Sequence, residues 1–399
     1  MDTKLEKFDI GLYVHIPFCH TKCTYCDFNT YTGIENLILD FQKAICSEIK
    51  FWRSQKPYRL SSIFIGGGTP SYIDIEVLEN IVSTIKKTFI VSDNTEITLE
   101  INPEDVNDEK SFSWKNIGIN RCSVGIQSLQ DNELEIINRR HDSKKAIKSI
   151  KTLQKYFDNI SVDLIYGLPK QSLRSYINTL ESIIDINPNH ISSYSLQVEK
   201  GTFLDQQVTQ KKITVASDDT SAAMYKITQN LLSKKGFSQY EISNWSKDGF
   251  NSEHNLKYWK LKPYIGVGPG AHSYISKERF SIIKSPKKYI MGSKLLKQND
   301  EDNIIKKINF LKDISFLDVY ESYDKENEML EFLMLSLRLE EGINTLDFNK
   351  RFNLDFCNLY LDDLKEYIEG NILIKNKDCY KLSNKGKLFA NEVASKFVK

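Results

Sequence analysis

Gly11-Leu12-Tyr13-Val14-His15-Ile16-Pro17-Phe18-Cys19-His20-Thr21-Lys22-Cys23-Thr24-Tyr25-Cys26-Asp27-Phe28 opens on an apolar run and closes on three thiols spaced by three and then two residues. The run reads as a strand and the thiols as the loop at its C-terminal end. Five more apolar, β-branched runs follow, at 61–65, 96–101, 121–126, 160–166 and 190–196. Between them, apolar residues at three- and four-residue spacing predict helices over 34–52, 75–89, 131–138, 143–157 and 173–186. Strands alternating with helices imply a parallel sheet. Polar segments recur at successive strand ends: the cysteines after the first, Gly66-Gly67-Gly68-Thr69-Pro70 after the second and Glu100-Ile101-Asn102-Pro103 at the third. Gln127 follows the fourth run and Asp163 lies in the fifth. A β/α barrel would gather these segments at one mouth, so the expected fold is α/β, a partial (β/α)6 barrel.

Working outward, another helix is expected near 217–235, and 240–274 turns aromatic and irregular. From about 328 a separate helical unit begins, and it ends in a hairpin and a last helix, an order that suggests a small winged-helix-like domain. The expected division is therefore a barrel core at 1–240, a linker at 241–310 carrying His254-Asn255-x-x-Tyr258-Trp259, and a C-terminal domain at 311–399.

The 399 residues carry 54 Lys and Arg against 53 Asp and Glu, a net charge of +1, which argues against a polybasic nucleic-acid binder. The segment 301–399 holds fifteen basic and nineteen acidic residues, so the winged-helix-like tail lacks the electropositive surface duplex binding needs. No apolar stretch reaches the roughly 18 residues of a membrane span, and the start, Met1-Asp2-Thr3-Lys4-Leu5-Glu6-Lys7, is charged where a signal peptide is apolar. A cytoplasmic location is expected, with transient contact at a membrane surface at most.

Three clustered thiols in a reducing compartment suit a metal centre. A four-iron four-sulfur cluster held by three thiolates leaves one iron open to a small molecule. A closed zinc site completed by His15 or His20 is a second reading, and cysteines that bind nothing a third. Cys46, Cys122, Cys357 and Cys379 fall in apolar settings and read as core residues. His15, His20, His141 and His190 read as structural or as supports behind the residues that bind. Gly266-x-Gly268-x-x-Ala271 imitates a dinucleotide fingerprint but lacks the strand-turn-helix unit and the acidic residue which that chemistry requires.

The Cys-x3-Cys-x2-Cys loop with Tyr25 before its last cysteine, together with the Gly66–Pro70 run, resembles the signature of the radical S-adenosylmethionine (SAM) superfamily. That resemblance implies a cluster on Cys19, Cys23 and Cys26 whose open iron takes the amino and carboxylate groups of SAM. One electron would then break a carbon–sulfur bond and yield a 5′-deoxyadenosyl radical. The match extends along the chain to oxygen-independent coproporphyrinogen III oxidase and its relatives, through Tyr13–Cys19, Glu100–Pro103, Gly125-Ile126-Gln127-Ser128 and Asp163–Pro169. By that likeness Tyr13, Tyr25, Gly67, Gly68, Thr69, Glu100, Gln127, Arg139 and Asp163 would bind SAM. Glu100 would accept from its amino group or ribose, and Arg139 would pair with its carboxylate. On residue type alone, Glu100, Gln127 and Asp163 also suit polar barrel residues paired with one another, and Arg139 a solvated charge at a helix end.

Two features depart from the oxidase pattern. Phe28 stands where that pattern has a further cysteine, and only 18 residues precede Cys19. These features and the His254 motif are similar to the HemW-type radical SAM haem chaperones, which bind haem and deliver it to respiratory haem proteins. The resemblance implies haem as cargo, contacted by His254, Tyr258 and Trp259; an imidazole can be an axial iron ligand, which makes His254 the first candidate and His272 a weaker one. On residue type alone the segment also suits a structural loop whose aromatics pack the barrel against the second domain. It also implies an electron donor for the cluster and recipient haem proteins, some of them membrane-bound. Coproporphyrinogen decarboxylation, with a role in porphyrin biosynthesis, is the alternative. A colourless zinc-stabilised adaptor is a third reading.

Overall fold

The computed structural model describes residues 9–297 and 301–397, so the charged start at 1–7 lies outside the described residues. Six strands, β1 (Asp9–Ile16), β2 (Arg59–Gly67), β3 (Ile90–Ile101), β4 (Arg121–Gln127), β5 (Ile160–Tyr166) and β6 (His190–Ser195), pair in chain order and all in parallel. This is the expected partial barrel. Its helices pack outside through the apolar spacing that predicts them: Ile38–Phe51 buries Phe41, Ala44, Ile45 and Ile49, and Leu173–Ile186 buries Tyr176, Leu180, Ile183 and Ile184. The latter helix opens on a capping box of Ser172 and Ser175 and stops at Asn187, in the left-handed region at φ 63°.

The helix Asp108–Ile117 is absent from the sequence reading. It buries only Ser111 and Trp114, so it has no apolar stripe to detect, and its ends are set instead by Asn107, which caps the Lys110 N–H, and by left-handed Gly118.

The segment 241–310, expected as a linker, contributes largely to the sheet. β7 (Ser238–Glu241) and β8 (Asn244–Ser246) extend it beyond β6. At the other end β9 (Tyr264–Val267) lies parallel to β1, followed by β10 (His272–Ile275), β11 (Glu278–Ile282) and β12 (Leu317–Ser322), antiparallel in turn. Among the described residues one sheet of twelve strands results. β12 also draws residues 317–322, placed by the sequence reading in the C-terminal domain, into this sheet.

Beyond it the order is helix Lys325–Ser336, β13 (Ile343–Asn344), helices Thr345–Phe352 and Phe356–Glu369, the hairpin β14 (Leu373–Asn376) and β15 (Cys379–Leu382), and helix Ala390–Ser395. This winged-helix-like unit has its own core, with Leu333, Phe348, Phe356, Leu364 and Tyr380 fully buried. It docks on the barrel through backbone bonds from Ile242 N–H to the Arg338 carbonyl (3.0 Å) and from Glu340 N–H to the Tyr240 carbonyl (2.9 Å).

The Gly266-x-Gly268 motif has a structural cause. Gly268 adopts φ +101°, and a Cβ there would lie 2.5 Å from the His15 carbonyl oxygen, so only glycine lets this turn lie against β1. Its N–H donates to the buried Glu48 carboxylate at 2.8 Å, which also accepts from the Tyr289 hydroxyl at 2.6 Å. Burial pushes the Glu48 pKa up to about 7 against the pull of these two bonds, and its Oε1 has no partner. In the unfolded chain Glu48 ionises near 4.5. Between pH 4.5 and 7 the folded state therefore binds more protons, and stability falls as pH rises through that window. Glu48→Gln is expected to flatten this fall, measured as a smaller difference in Tm between pH 5 and pH 8. An unchanged difference would show that other groups set the slope.

Candidate functional site

The three cysteines lie on the loop after β1, and the glycine run after β2 holds that loop by its backbone. Gly68 N–H donates to the Ile16 carbonyl (2.7 Å) and Thr69 N–H to the Phe18 carbonyl (2.8 Å). A Cβ on Gly68 would fall 2.6 Å from the Phe18 oxygen and 3.1 Å from Cys19 Sγ, so the glycine makes room for the loop and its first thiol. All three thiols are free and open on one cavity of about 500 Å³. Cys19 contacts the Thr69 hydroxyl at 3.4 Å, and Arg139 Nη1 donates to Cys23 Sγ at 3.5 Å. Burial, reinforced by the neighbouring Cys26 and Cys23 and opposed by the Thr69 hydroxyl, pushes the Cys19 thiol up to about 11. Among the described residues no three His, Cys, Asp or Glu groups are gathered tightly enough for a single ion.

The same cavity is lined by Tyr13, Tyr25, Gly67, Gly68, Thr69, Glu100, Gln127, Arg139 and Asp163, together with His254 and Tyr258. Trp259 is the exception and opens elsewhere. Glu100 accepts the Gly67 N–H at 2.9 Å, and burial, reinforced by Asp163, pushes its pKa up to about 8. Asp163 accepts from the Ser123 hydroxyl at 2.9 Å, and burial raises its pKa too. Neither carboxyl is hydrogen-bonded to the other or to Gln127, so the reading as mutually paired barrel residues does not describe them. Gln127 sits at φ 67° on a bulge between β4 and β5, a strained conformation of the kind that collects at functional sites.

Arg139 is no solvated helix-end charge. Its Nη2 donates to Asn102 Oδ1 (2.8 Å) and to the Gly125 carbonyl (2.7 Å), while its Nε is buried with no partner. Asn102 in turn reaches the Thr69 hydroxyl at 3.2 Å. The guanidinium is thus aimed by the protein, and its Nη2 is already engaged before any carboxylate arrives.

The barrel floor holds residues that the sequence reading missed. Arg121 and Glu96 are buried with Nε and Oε2 3.9 Å apart. Glu96 also accepts the backbone N–H groups of Glu253 and His254, both at 3.1 Å, and so anchors the start of the helix Glu253–Trp259. Phe64, Asn102 and Tyr194 also line the cavity. The signal for Phe64 and Arg121 is a two-residue alternation inside the apolar runs, since they face the cavity with Ser123 and Asp163 while Ile63, Ile65, Cys122 and Val162 are core.

His254 is fully buried. Its Nδ1 is 2.9 Å from the Ser62 hydroxyl, its Nε2 is 2.8 Å from the Tyr258 hydroxyl, and its ring stacks on Phe64. Burial, with help from Lys257 and Arg121, pulls its pKa down to about 3, so the imidazole is neutral. Both nitrogens are occupied, and coordination of an iron would require one of these bonds to break.

A second cavity, of about 490 Å³, lies beyond the wall formed by Tyr13, Glu100 and Tyr258. Trp259 lines it under the Arg338 guanidinium, whose carbon is 4.5 Å from the indole centroid. Phe28, 61% exposed, stands at the rim of both cavities. Of the other cysteines Cys122 is a core residue, whereas Cys46, Cys357 and Cys379 are half-buried.

Comparison with known proteins places this architecture. The family model of the radical SAM superfamily matches residues 13–183, and that of the HemN C-terminal domain matches residues 323–389. The superfamily implies a four-iron four-sulfur cluster and SAM. Among solved structures, coproporphyrinogen III oxidase (HemN) from Escherichia coli, a radical SAM enzyme, superposes with a TM-score of 0.82 over 99% of this chain and 91% of that one. At 19% identity this likeness speaks for the fold. The heme chaperone HemW of Buchnera aphidicola (subsp. Acyrthosiphon pisum) is 34% identical over 98% of both chains. That of Bacillus subtilis is 32% identical over 97% of this chain and 98% of its own. With such likeness along nearly its whole length, the chain belongs to the HemW family within the radical SAM superfamily.

Proposed function

We propose that this protein binds haem as cargo and delivers it to haem proteins of the respiratory chain, with SAM chemistry in the adjoining cavity driving or gating release. The observation that carries the reading is the shared wall: Tyr13, Glu100 and Tyr258 line both cavities, so the SAM side and the second cavity are built on the same side chains. Cys19, Cys23 and Cys26 would hold the cluster. The open sulfurs and the partnerless Arg139 Nε are the features that fit them and their surroundings to that group. When bound, the cluster and SAM supply a one-electron reductive cleavage of a carbon–sulfur bond. Gly68 leaves the loop room, Asn102 and the Gly125 carbonyl aim Arg139, and the buried Glu100 carboxyl offers an acceptor to an amine or hydroxyl. Tyr258 and Trp259 supply ring surface for a porphyrin, and an electron donor and a recipient haem protein are the partners this implies.

The reading is tested by anaerobic turnover of the cluster-reconstituted protein with SAM, a reductant and coproporphyrinogen III, alongside a titration with haemin. Saturable haemin binding near one equivalent and no protoporphyrinogen are expected. Conversion of the porphyrinogen in step with 5′-deoxyadenosine would instead make this protein an oxidase, despite Phe28.

A further inference from the structure

The sequence contains six histidines, and five of them have ring nitrogens already in hydrogen bonds. His15 joins Tyr13 and the Asn29 carbonyl, His20 the Thr21 hydroxyl, His141 joins Glu104 and the Ile126 carbonyl, His190 joins Ser161 and Tyr240, and His254 joins Ser62 and Tyr258. His272, the first residue of β10, makes no ring hydrogen bond among the described residues. It is exposed and lines the second cavity. Desolvation on its cavity-facing side, with the Arg279 and Lys284 cations and against Asp318, lowers its pKa and so favours the neutral ring, whose lone pair is free.

The rest of that cavity suits a planar, largely apolar ligand with a carboxylate for Arg279, which shares the lining with the Glu100 and Glu331 carboxyls. Trp259, Tyr264 and Tyr274 offer ring faces and edges, and the buried Trp259 Nε1 has no acceptor. Arg279 lies on the lining with its guanidinium bonded to Glu331 and to the Tyr323 hydroxyl (3.0 Å), while Glu331 Oε2 is buried without a partner. A ligand carboxylate reaching Arg279 would compete with Glu331 for it, a contact that holds cargo and can also give it back. The volume of about 490 Å³ lies in the usual range for small-molecule sites.

We propose that haem is held in this second cavity with the His272 imidazole as its axial ligand, and that His254 serves the wall between the cavities by positioning Tyr258. The assignment rests on the haem-binding reading above. His254 would have to leave a buried, doubly bonded position to reach iron, whereas His272 has nothing to give up.

The test is a haemin titration of the full-length, cluster-reconstituted protein, read by the Soret band and by the electron paramagnetic resonance of the ferric haem. His272→Ala is expected to shift the Soret band, abolish the imidazole-ligated signal and weaken binding by at least about tenfold. Millimolar imidazole in solution should restore the parent signal, which a purely structural role would not allow. His254→Gln should retain it. An unchanged Soret band and affinity in His272→Ala, or no restoration by imidazole, would overturn the assignment. A parent protein with no saturable Soret change would remove the haem-binding reading itself, an outcome separate from either of these.

Discussion

The Cys23→Ala protein, reconstituted anaerobically with iron and sulfide, is expected to lack the cluster's visible absorbance and to release 5′-deoxyadenosine from SAM at least about a hundredfold more slowly than the parent, since loss of outer-shell partners alone costs ten- to a hundredfold. Only Cys19 and Cys26 then remain on the loop, too few thiolates for a cluster, and Arg139 Nη1 loses its sulfur acceptor. The loop itself should survive. The bond from Cys26 N–H to the Cys23 carbonyl (3.2 Å) is a backbone contact, and Thr24 is tied on both sides by the Ile137 carbonyl and the Leu204 N–H. The variant should therefore melt near the parent apoprotein. Retained absorbance at full iron stoichiometry would show that Cys23 is not a ligand.

Glu96→Ala is expected to lower the unfolding free energy by about 3–5 kcal/mol, the usual cost of breaking a buried ion pair from one side. Arg121 is 1% exposed, and without Glu96 its charge has no carboxylate at this distance in the barrel floor. The same change removes the acceptor for the N–H groups of Glu253 and His254, so the helix carrying His254, Tyr258 and Trp259 loses its anchor. Urea unfolding would give the magnitude, and hydrogen exchange at residues 253–259 would report the local effect. Adding Arg121→Met should recover part of the loss by removing the stranded charge. A loss below about 1 kcal/mol would mean that water screens the pair.

The parallel order β1 to β6 was legible because each strand is a short apolar run between helices with a clear stripe, and because chemistry-bearing residues recur at strand ends. Cys19, Gly68, Glu100, Gln127 and Asp163 meet at one mouth for that reason. The strands β7 to β12 were not legible. They are three to six residues long, they are separated by tight turns or by short helices, and β9 finds its partner some 250 residues away, a pairing that no local pattern encodes. Arg121 and Glu96 escaped as a pair, because alternation can turn Arg121 inward but does not say which carboxylate it meets until the fold brings the two strands together. His254 shows a different limit: the motif marks it, but only its bonds to Ser62 and Tyr258 reveal that both nitrogens are spoken for.

The pairing of β1 with β9 has a consequence for the protein's own synthesis. From Gly11 to Val14 the outer edge of β1 is covered by Tyr264 to Val267. At about 5–20 residues per second, the ribosome needs roughly 13–50 s to deliver that cover after β1 emerges. Throughout that interval Ile10-Gly11-Leu12-Tyr13-Val14-His15-Ile16 would present an unpaired edge of high strand propensity, the kind of segment that recruits other nascent chains. Chains that stop short of residue 264 should accordingly aggregate, and those released just beyond 267 should be markedly more soluble, a threshold set by one late strand and independent of the metal centre.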